Sequence, residues 1–433
     1  MAGMTTPKPS KNNIRHLHAS DLRATALLAT QATLAVTAIT EGVHQSVWRT
    51  LGAPGGDAPG QTRGLTGLIY QSIHGVTRLI GQGVAKALTK LEPLLQRLEG
   101  QPQESPERAA VIAALNGVMG DRLQASGNPL AIAMTLRNSE HSALSAQGLE
   151  VNLTYISESP AAGTRLLLVM HGLCMNDLQW HATHQGQGVN HAETLAQTLG
   201  YTLVYLRYNT GLHVSQNGQL LATELETLIN RWPVPLTELS VLAHSMGGLV
   251  MRSAVHDATQ AGLHWPKLLK NIVFLGTPHH GAPLERAGNW VDVILGSTPY
   301  SRPFAKLGQL RSAGVTDLRY GHVLNADWQG HDRFHRKPDS RQHLPLPASV
   351  ACFTVAATVA GQRSKVADRL VGDGLVPLHS ALGVHDDAAR QLVFAPERQR
   401  IVYRTNHMQL LSSPLVTQQL LDWLTLPGAS DAA

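Results

Sequence analysis

The sequence predicts an α/β fold in which a mostly parallel sheet of eight strands follows an α-helical region. Short apolar runs recur after residue 130, and segments of helix length separate most of the later runs. Strands of a parallel sheet are buried on both faces, so they are continuously apolar, and helices connect them. The first two runs alternate and lie close together, which predicts an antiparallel hairpin. The predicted strands are Ala131–Arg137, Leu149–Ile156, Arg165–Met170, Thr202–Leu206, Leu239–Ala243, Asn271–Leu275, Ala351–Ala357 and Arg400–Tyr403.

The composition is that of a globular protein with a large core. Of the 433 residues, 43% are hydrophobic and 15% are charged, which excludes disorder for most of the chain. The net charge of +5 comes without a run of Lys or Arg, so no specific feature supports nucleic-acid binding. The two cysteines, Cys174 and Cys352, are too few for a disulfide scaffold or a four-cysteine metal site.

Two Pro/Gly-rich breaks, at residues 53–60 and 100–106, divide the first part of the chain. Clusters of this kind end helices, and apolar residues at helical spacing lie between them. Helices are predicted over residues 21–51, over residues 65–95 and from Pro106 to about Leu123. The chain is therefore predicted to consist of an N-terminal helical region, residues 1–125, and one large domain, residues 126–433.

The N-terminal region contains neither a predicted membrane span nor a predicted signal peptide. Its most apolar segment, residues 24–40, is interrupted by Gln31 and several threonines, whereas a span needs about 20 predominantly apolar residues. A cytoplasmic location is expected. The helices are interpreted either as packing on the large domain or a second subunit, or as peripheral contacts with the inner membrane face. Packing is favoured because their polar faces are not strongly basic.

The strongest motif is the segment Val241–Val250, V-L-A-H-S-M-G-G-L-V, in which an apolar strand leads through Ser245 into a helical run. A serine on a sharp strand-to-helix turn, with small residues two before and two after it, is typical of a nucleophile. Ala243 occupies the first small position and Gly247 the second. Ser245 is the predicted nucleophile, and an ordinary tight turn is the alternative.

A second motif, L-L-L-V-M-H-G-L, ends the third predicted strand at Gly172-Leu173. Stabilising an oxyanion requires two preorganised N–H donors, one after the nucleophile and one from the loop that follows this strand. The backbone N–H groups of Leu173 and Met246 are the predicted oxyanion hole. The alternative is a strand-to-glycine turn with no such role.

In this chain order the catalytic acid is expected after the seventh predicted strand and the catalytic base after the eighth. Asp373 is favoured over Asp368 as the acid, because glycines flank it and an apolar Leu-Val-Pro follows, whereas an arginine adjoins Asp368. His407 is favoured over His379 and His385 as the base, because it lies between the last strand and a helix. The acid would hold the imidazole in position and stabilise its protonated form.

The remaining histidine clusters are expected to have no part in catalysis or metal binding. His181, His184 and His191 follow the third predicted strand. A zinc site is conceivable there, but solvent-exposed histidines are favoured because the spacing is not typical of a metal site. The pair His279-His280, after the sixth strand, is expected at a pocket rim. No metal and no cofactor are expected.

Together these motifs resemble those of α/β hydrolases of the lipase and esterase type, over roughly residues 130–425. Within that group they resemble GPI inositol-deacylase-like and triacylglycerol-lipase-like bacterial serine hydrolases. The resemblance implies an α/β-hydrolase fold and cleavage of a small-molecule acyl ester or lipid through an acyl-enzyme, on a triad of Ser245, Asp373 and His407. The motifs that resemble the group are His171-Gly172-Leu173, Ala243–Gly248, Leu275–Gly281, Asp373–Pro377 and Asn406-His407.

Three alternatives remain open: an acyltransferase or a thioesterase with the same triad, and a non-catalytic binding protein on the same fold. The segment 276–350, between the sixth and seventh predicted strands, is interpreted as a lid over the acyl pocket, with a surface excursion as the alternative. The sequence does not specify the acyl length, the alcohol or the oligomeric state.

Overall fold

The computed structural model describes residues 106–146, 162–181, 189–282, 311–330, 339–362 and 372–425, with a few helical residues within 23–30 and 71–78. The chain divides into two compact units, Met1–Arg108 with Ser126–Leu130, and Ala109–Ala125 with Ala131–Ala433. The sheet and the candidate site lie in the second unit. The helices predicted over residues 21–51 and 65–95 fall almost wholly outside the described residues.

Eight strands of the described chain form one sheet in the order β2-β1-β4-β3-β5-β6-β7-β8. Strand β1 pairs antiparallel with β2 and with β4, and all the other neighbours are parallel. The predicted α/β class and the mostly parallel, eight-stranded sheet are therefore confirmed. The strands are β1 (Thr135–Arg137), β2 (Ala143–Ala146), β3 (Arg165–Met170), β4 (Thr202–Arg207), β5 (Glu238–His244), β6 (Leu269–Leu275), β7 (Ala351–Thr358) and β8 (Gln399–Tyr403).

The hairpin at the sheet edge differs from its prediction. The second predicted strand, Leu149–Ile156, lies outside the described residues, and the partner of β1 is Ala143–Ala146. Strand β1 also begins later than predicted, at Thr135. The preceding residues lie beside a helix instead, because the N–H of Ile132 donates to the side-chain Oδ1 of Asn116 at 2.9 Å.

Helices cover both faces of the sheet. Alternate residues of β3 point to opposite faces, so Leu166 and Leu168 belong to one buried cluster while Leu167 and Val169 belong to the other. None of the described helices combines the length and hydropathy that crossing a bilayer requires. The helices are α1 (Pro106–Ala125), α2 (His191–Leu199), α3 (Val214–Asn230), α4 (Met246–Gln260), α5 (Ala313–Tyr320), α6 (Asn325–Trp328), α7 (Leu378–Ala381) and α8 (Pro414–Thr425).

The predicted lid is described only in part, and its role stays a prediction. Its residues 311–330 contain α5 and α6. Helix α5 lies against the loop that follows β4, since the N–H of Gly314 donates to Gly211 O at 3.1 Å. A Cβ at Gly314 would lie 3.0 Å from the terminal methyl of Met246, so α5 also packs beside the predicted nucleophile turn.

Candidate active site

Ser245 lies on the turn between β5 and α4 and has φ of 54° and ψ of −121°. A positive φ is unusual for a residue other than glycine and persists only where the surrounding structure fixes it. Here the Ser245 N–H donates to Leu275 O at 2.8 Å, and Ser245 O accepts from the Gly248 N–H at 3.1 Å. The strand before the serine and the helix after it therefore hold the turn in place.

The small residues of the motif are required by the close approach of neighbouring elements. A Cβ at Gly247 would lie 2.8 Å from the carbonyl oxygen of His171 in the loop after β3. A Cβ at Gly248 would lie 2.1 Å from Oγ1 of Thr277, after β6. Both distances are far shorter than van der Waals contact, so larger side chains would force the loops away from the turn.

Asp373 and His407 form a hydrogen-bonded pair in the interior. Nδ1 of His407 donates to Oδ2 of Asp373 at 2.6 Å, and both side chains are buried. The other carboxylate oxygen, Oδ1, accepts the N–H groups of Leu375 at 2.9 Å and Val376 at 2.7 Å. Since an ionised carboxylate only accepts, Nδ1 is the nitrogen that donates to Asp373, and Nε2 is the ring nitrogen left to act as a base.

The rival acid and base candidates are placed differently. Asp368 lies outside the described residues. His385 is directed to another carboxylate, with its Nε2 3.4 Å from Oδ2 of Asp339. The structure thus brings His407, and not His385, to Asp373.

His244 connects the serine turn to the His407 loop. Nε2 of His244 donates to the backbone oxygen of His407 at 3.2 Å, and the two rings lie 4.6 Å apart. The end of β6 contacts both the Ser245 turn and the His407 ring. Leu275 O accepts the Ser245 N–H, and a Cβ at Gly276 would lie 3.2 Å from the His407 ring. No sequence motif predicts the contact between His244 and His407, because the two residues are 163 positions apart in the chain.

The two predicted oxyanion-hole residues both adjoin Ser245. Leu173 follows Gly172, where a Cβ would lie 2.9 Å from Cβ of Ser245. Met246 is the first residue of α4, so its N–H has no acceptor within the helix and lies at the positive end of the helix dipole. Both positions could therefore direct an N–H toward charge that develops beside the serine.

Buried aromatic groups fix the loop after β3. His171 is fully buried, and its Nδ1 donates to Gly172 O at 3.0 Å. The Tyr208 ring stacks on it at 4.5 Å, and the Tyr208 hydroxyl donates to His171 O at 2.8 Å. Burial lowers the pKa of His171 to about 4, so this ring is neutral at physiological pH. Tyr208 belongs to no motif, so its contact with His171 could not be predicted from the sequence.

Helix α1 packs against two loops through glycines, the loop after β3 through Gly117 and the loop after β4 through Gly120. A Cβ at Gly117 would lie 2.1 Å from Sγ of Cys174, and one at Gly120 would lie 1.9 Å from Oδ1 of Asn209. The helix is interrupted at Met119, where the backbone is not helical. Cys174 itself has φ of 59°. This helix was predicted as part of the N-terminal region, and its residues Ala109–Ala125 pack with the sheet.

The expectation of exposed histidines after β3 is wrong for His191. Its side chain is buried, with Nε2 donating to Leu410 O at 2.8 Å and Nδ1 2.8 Å from Oγ1 of Thr417. His181 is exposed, as expected, and His184 lies outside the described residues. Within the part of the chain that the structure describes, no group of three or more potential ligands could hold a metal ion.

The chain is similar in sequence to a family of unassigned function and, at low sequence identity, to the solved structures of several enzymes. Residues 133–318 match a family described as a domain of unknown function, DUF7379. No curated protein matches the sequence. A lipase of Bacillus licheniformis in its propeptide form is 16% identical, with 64% of this chain and 54% of the lipase covered and a TM-score of 0.40. The chain thus spans little more than half of that lipase.

Two further solved structures are similar over most of their own length. An esterase of Thermogutta terrifontis is 14% identical, with 61% of this chain and 90% of the esterase covered and a TM-score of 0.34. A type II thioesterase of the yersiniabactin biosynthetic pathway is 16% identical, with 61% of this chain and 93% of the thioesterase covered and a TM-score of 0.35. At such identities, the chemical interpretation rests on the geometry of the site.

Proposed function

We propose that the protein is a serine hydrolase that cleaves carboxylic esters through an acyl-enzyme on Ser245. The observation that supports this most strongly is the buried hydrogen bond from His407 to Asp373, beside a serine on a strained strand-to-helix turn. A serine hydroxyl is a weak nucleophile until a positioned base takes its proton, and a base needs a third group to orient it. These residue types are the ones that such chemistry requires.

In the proposed reaction, Nε2 of His407 removes the Ser245 proton while Oγ attacks the ester carbonyl carbon. The protonated imidazole is stabilised by Asp373 and then gives its proton to the leaving alcohol, which leaves the acyl group on the serine. Water then attacks the acyl-enzyme with His407 again as the base, which releases the acid and restores the hydroxyl. No cofactor takes part in this sequence.

The N–H groups of Leu173 and Met246 would stabilise the negative oxygen of both tetrahedral intermediates. Each such donor is worth a factor of about 10²–10³ in kcat when it is preorganised. The contacts at Gly172 and Gly117 provide this preorganisation, because they leave the loop after β3 little room to move away from Ser245.

Labelling with a fluorophosphonate probe tests the assignment of the nucleophile. The wild type should be labelled, and Ser245→Ala should lose both labelling and ester hydrolysis. Ser253→Ala is a matched control, because Ser253 is a buried serine on the same helix α4. Labelling that persists in Ser245→Ala, or an equal loss in Ser253→Ala, would refute the assignment.

A substrate series narrows the reaction class. Chromogenic esters of increasing acyl length, each paired with the corresponding thioester, should show faster turnover of the ester. Inositol-linked acyl esters and triacylglycerols test the two subtypes that the motifs resemble. If the thioesters are preferred, or if product forms only when an acceptor alcohol is added, the protein is a thioesterase or an acyltransferase.

A further inference from the structure

A second polar cleft lies behind the nucleophile helix. Its lining comes from α4, from the loop after β6, and from the segments around residues 321–327, 341–344 and 390–392. None of the residues proposed above for catalysis lines it. Its polar and charged lining includes Arg252, His279, His280, Asp327, Arg341 and Arg390.

Two of the three arginines have carboxylate partners. Asp339 accepts from Nη2 of Arg341 at 2.7 Å and from Nε of Arg341 at 2.9 Å, which is a two-pronged ion pair. The same carboxylate lies 2.9 Å from Nη1 of Arg390. Nε of Arg390 also lies 3.5 Å from Oδ2 of Asp387, so the two arginines face two carboxylates at the rim of the cleft.

Arg252 has no such partner among the described residues. Its side chain is only 6% exposed, yet Nη2 donates only to the backbone oxygen of Leu344, at 2.5 Å, and Nε has no hydrogen-bond partner. Burial lowers the pKa of Arg252 to about 10, so the guanidinium is still charged at neutral pH. An unpaired buried charge is strongly unfavourable, so an anion that enters the cleft would be stabilised.

Asp327 is nearby, but its oxygens are already occupied. Oδ2 accepts the N–H groups of Val323 at 2.8 Å and Leu324 at 2.9 Å, and Oδ1 accepts that of Gln342 at 3.1 Å. These bonds hold the loop before α6 to the segment that contains Leu344. Asp327 thus builds the wall of the cleft, and its hydrogen bonds go to backbone N–H groups and not to the guanidinium of Arg252.

His279 is a second unsatisfied group on the same wall. It is 1% exposed, and neither ring nitrogen has a hydrogen-bond partner within the described chain. Burial and the neighbouring Arg252 lower its pKa well below the usual value, so the ring is neutral. A neutral imidazole beside a charged guanidinium adds a donor without adding a second positive charge.

We propose that this cleft binds the carboxylate group of a small molecule, with the guanidinium of Arg252 as its partner. A carboxylate matches the fork geometry of a guanidinium and neutralises the charge of Arg252, to which no carboxylate of the described residues is hydrogen-bonded. A phosphate dianion matches less well, because it exceeds the single charge of Arg252 and is repelled about twice as strongly as a carboxylate by Asp327. The site is separate from the serine site and does not depend on its chemistry.

The test is thermal unfolding of the full-length protein in a concentration series of sodium acetate, with sodium chloride keeping the ionic strength constant. Acetate should raise the Tm of the wild type along a saturable curve, as a ligand of the folded state does. Arg252→Met keeps the apolar stem and should weaken the apparent affinity for acetate at least tenfold. Arg231→Met, an exposed arginine at the end of α3, changes the net charge equally and should bind as the wild type does.

Three outcomes would overturn the proposal: acetate stabilises the wild type no more than chloride does, the acetate effect persists in Arg252→Met, or inorganic phosphate is the stronger ligand. If Arg252→Met does not fold, Arg252→Lys replaces it. That variant keeps the charge but loses the two-pronged geometry, so it should still bind acetate more weakly than the wild type. Equal binding by the lysine variant would also overturn the proposal.

Discussion

Replacing Asp373 by Asn should move the imidazole proton of His407 from Nδ1 to Nε2 without changing the shape of the site. Oδ1 of Asp373 accepts two backbone N–H groups, from Leu375 and Val376. In Asp373→Asn the amide oxygen must occupy that position, because an NH₂ group there would face two donors. The amide nitrogen then points at Nδ1 of His407, which must accept, so the proton moves to Nε2.

An imidazole that is protonated at Nε2 cannot take the proton of Ser245. The same change of tautomer in a Ser-His-Asp triad lowers kcat by about 10⁴, which is about 5.4 kcal/mol of activation free energy. The bond concerned is 2.6 Å long and both partners are buried, so water cannot substitute for the carboxylate. We therefore expect a loss of that size in Asp373→Asn, with KM little changed.

The assay is hydrolysis of a short chromogenic ester, with urea unfolding of each variant as a check on folding. Asp327→Asn is a matched control, because Asp327 is also a buried carboxylate that accepts three backbone N–H groups, but no histidine of the described residues is hydrogen-bonded to it. It should lose stability and keep kcat within tenfold of the wild type. If Asp373→Asn keeps more than a tenth of the wild-type kcat, or if the control loses as much, the proposed role of the pair is refuted.

Two further outcomes are expected. Gly117→Ala should cost about 1–3 kcal/mol of stability, because the added methyl group overpacks against Cys174. It should also lower kcat by displacing the loop after β3, and the double variant Gly117→Ala/Cys174→Ala should recover part of both losses. Unchanged kinetics in Gly117→Ala would contradict the proposed support of this loop by α1. His171 and His191 are neutral when folded, since burial lowers each pKa to about 4. The unfolded chain therefore binds more protons below pH 6.5, and the free energy of unfolding should fall between pH 6.5 and 4, by about 1.4 kcal/mol per histidine at pH 5.5. Urea unfolding across that range measures it, and a flat profile would show that these rings protonate in the folded state.

The sheet was predictable because its signal is local. An apolar run such as Arg165–Met170 has no alternative to burial on both faces, and the observed strand has the same bounds. The β2 end of the described sheet was less predictable, because the short strand Ala143–Ala146 is not continuously apolar. Its pairing depends on β1, which in turn depends on the antiparallel neighbour β4.

The candidate site was predictable where chain order sets position, and unpredictable where packing does. Ser245, Asp373 and His407 each follow a strand of the same parallel sheet, so their place at one edge follows from topology. The bond from His244 to the His407 loop and the seating of Gly117 on Cys174 follow from side-chain packing between distant segments. A sequence alone gives no local pattern for such contacts.

Backbone strain also concentrates at this edge of the sheet. Cys174 follows β3, Ser245 follows β5 and Arg404 follows β8, and each has a positive φ although none is glycine. Gly276 adopts the same kind of conformation directly after β6. Each non-glycine residue of this kind costs about 1–3 kcal/mol, which only an over-determined structure sustains. Buried clusters on both faces of the parallel sheet hold its strand ends in place. The stability of this core therefore allows the loops to keep Ser245 and the other residues of positive φ in unfavourable conformations.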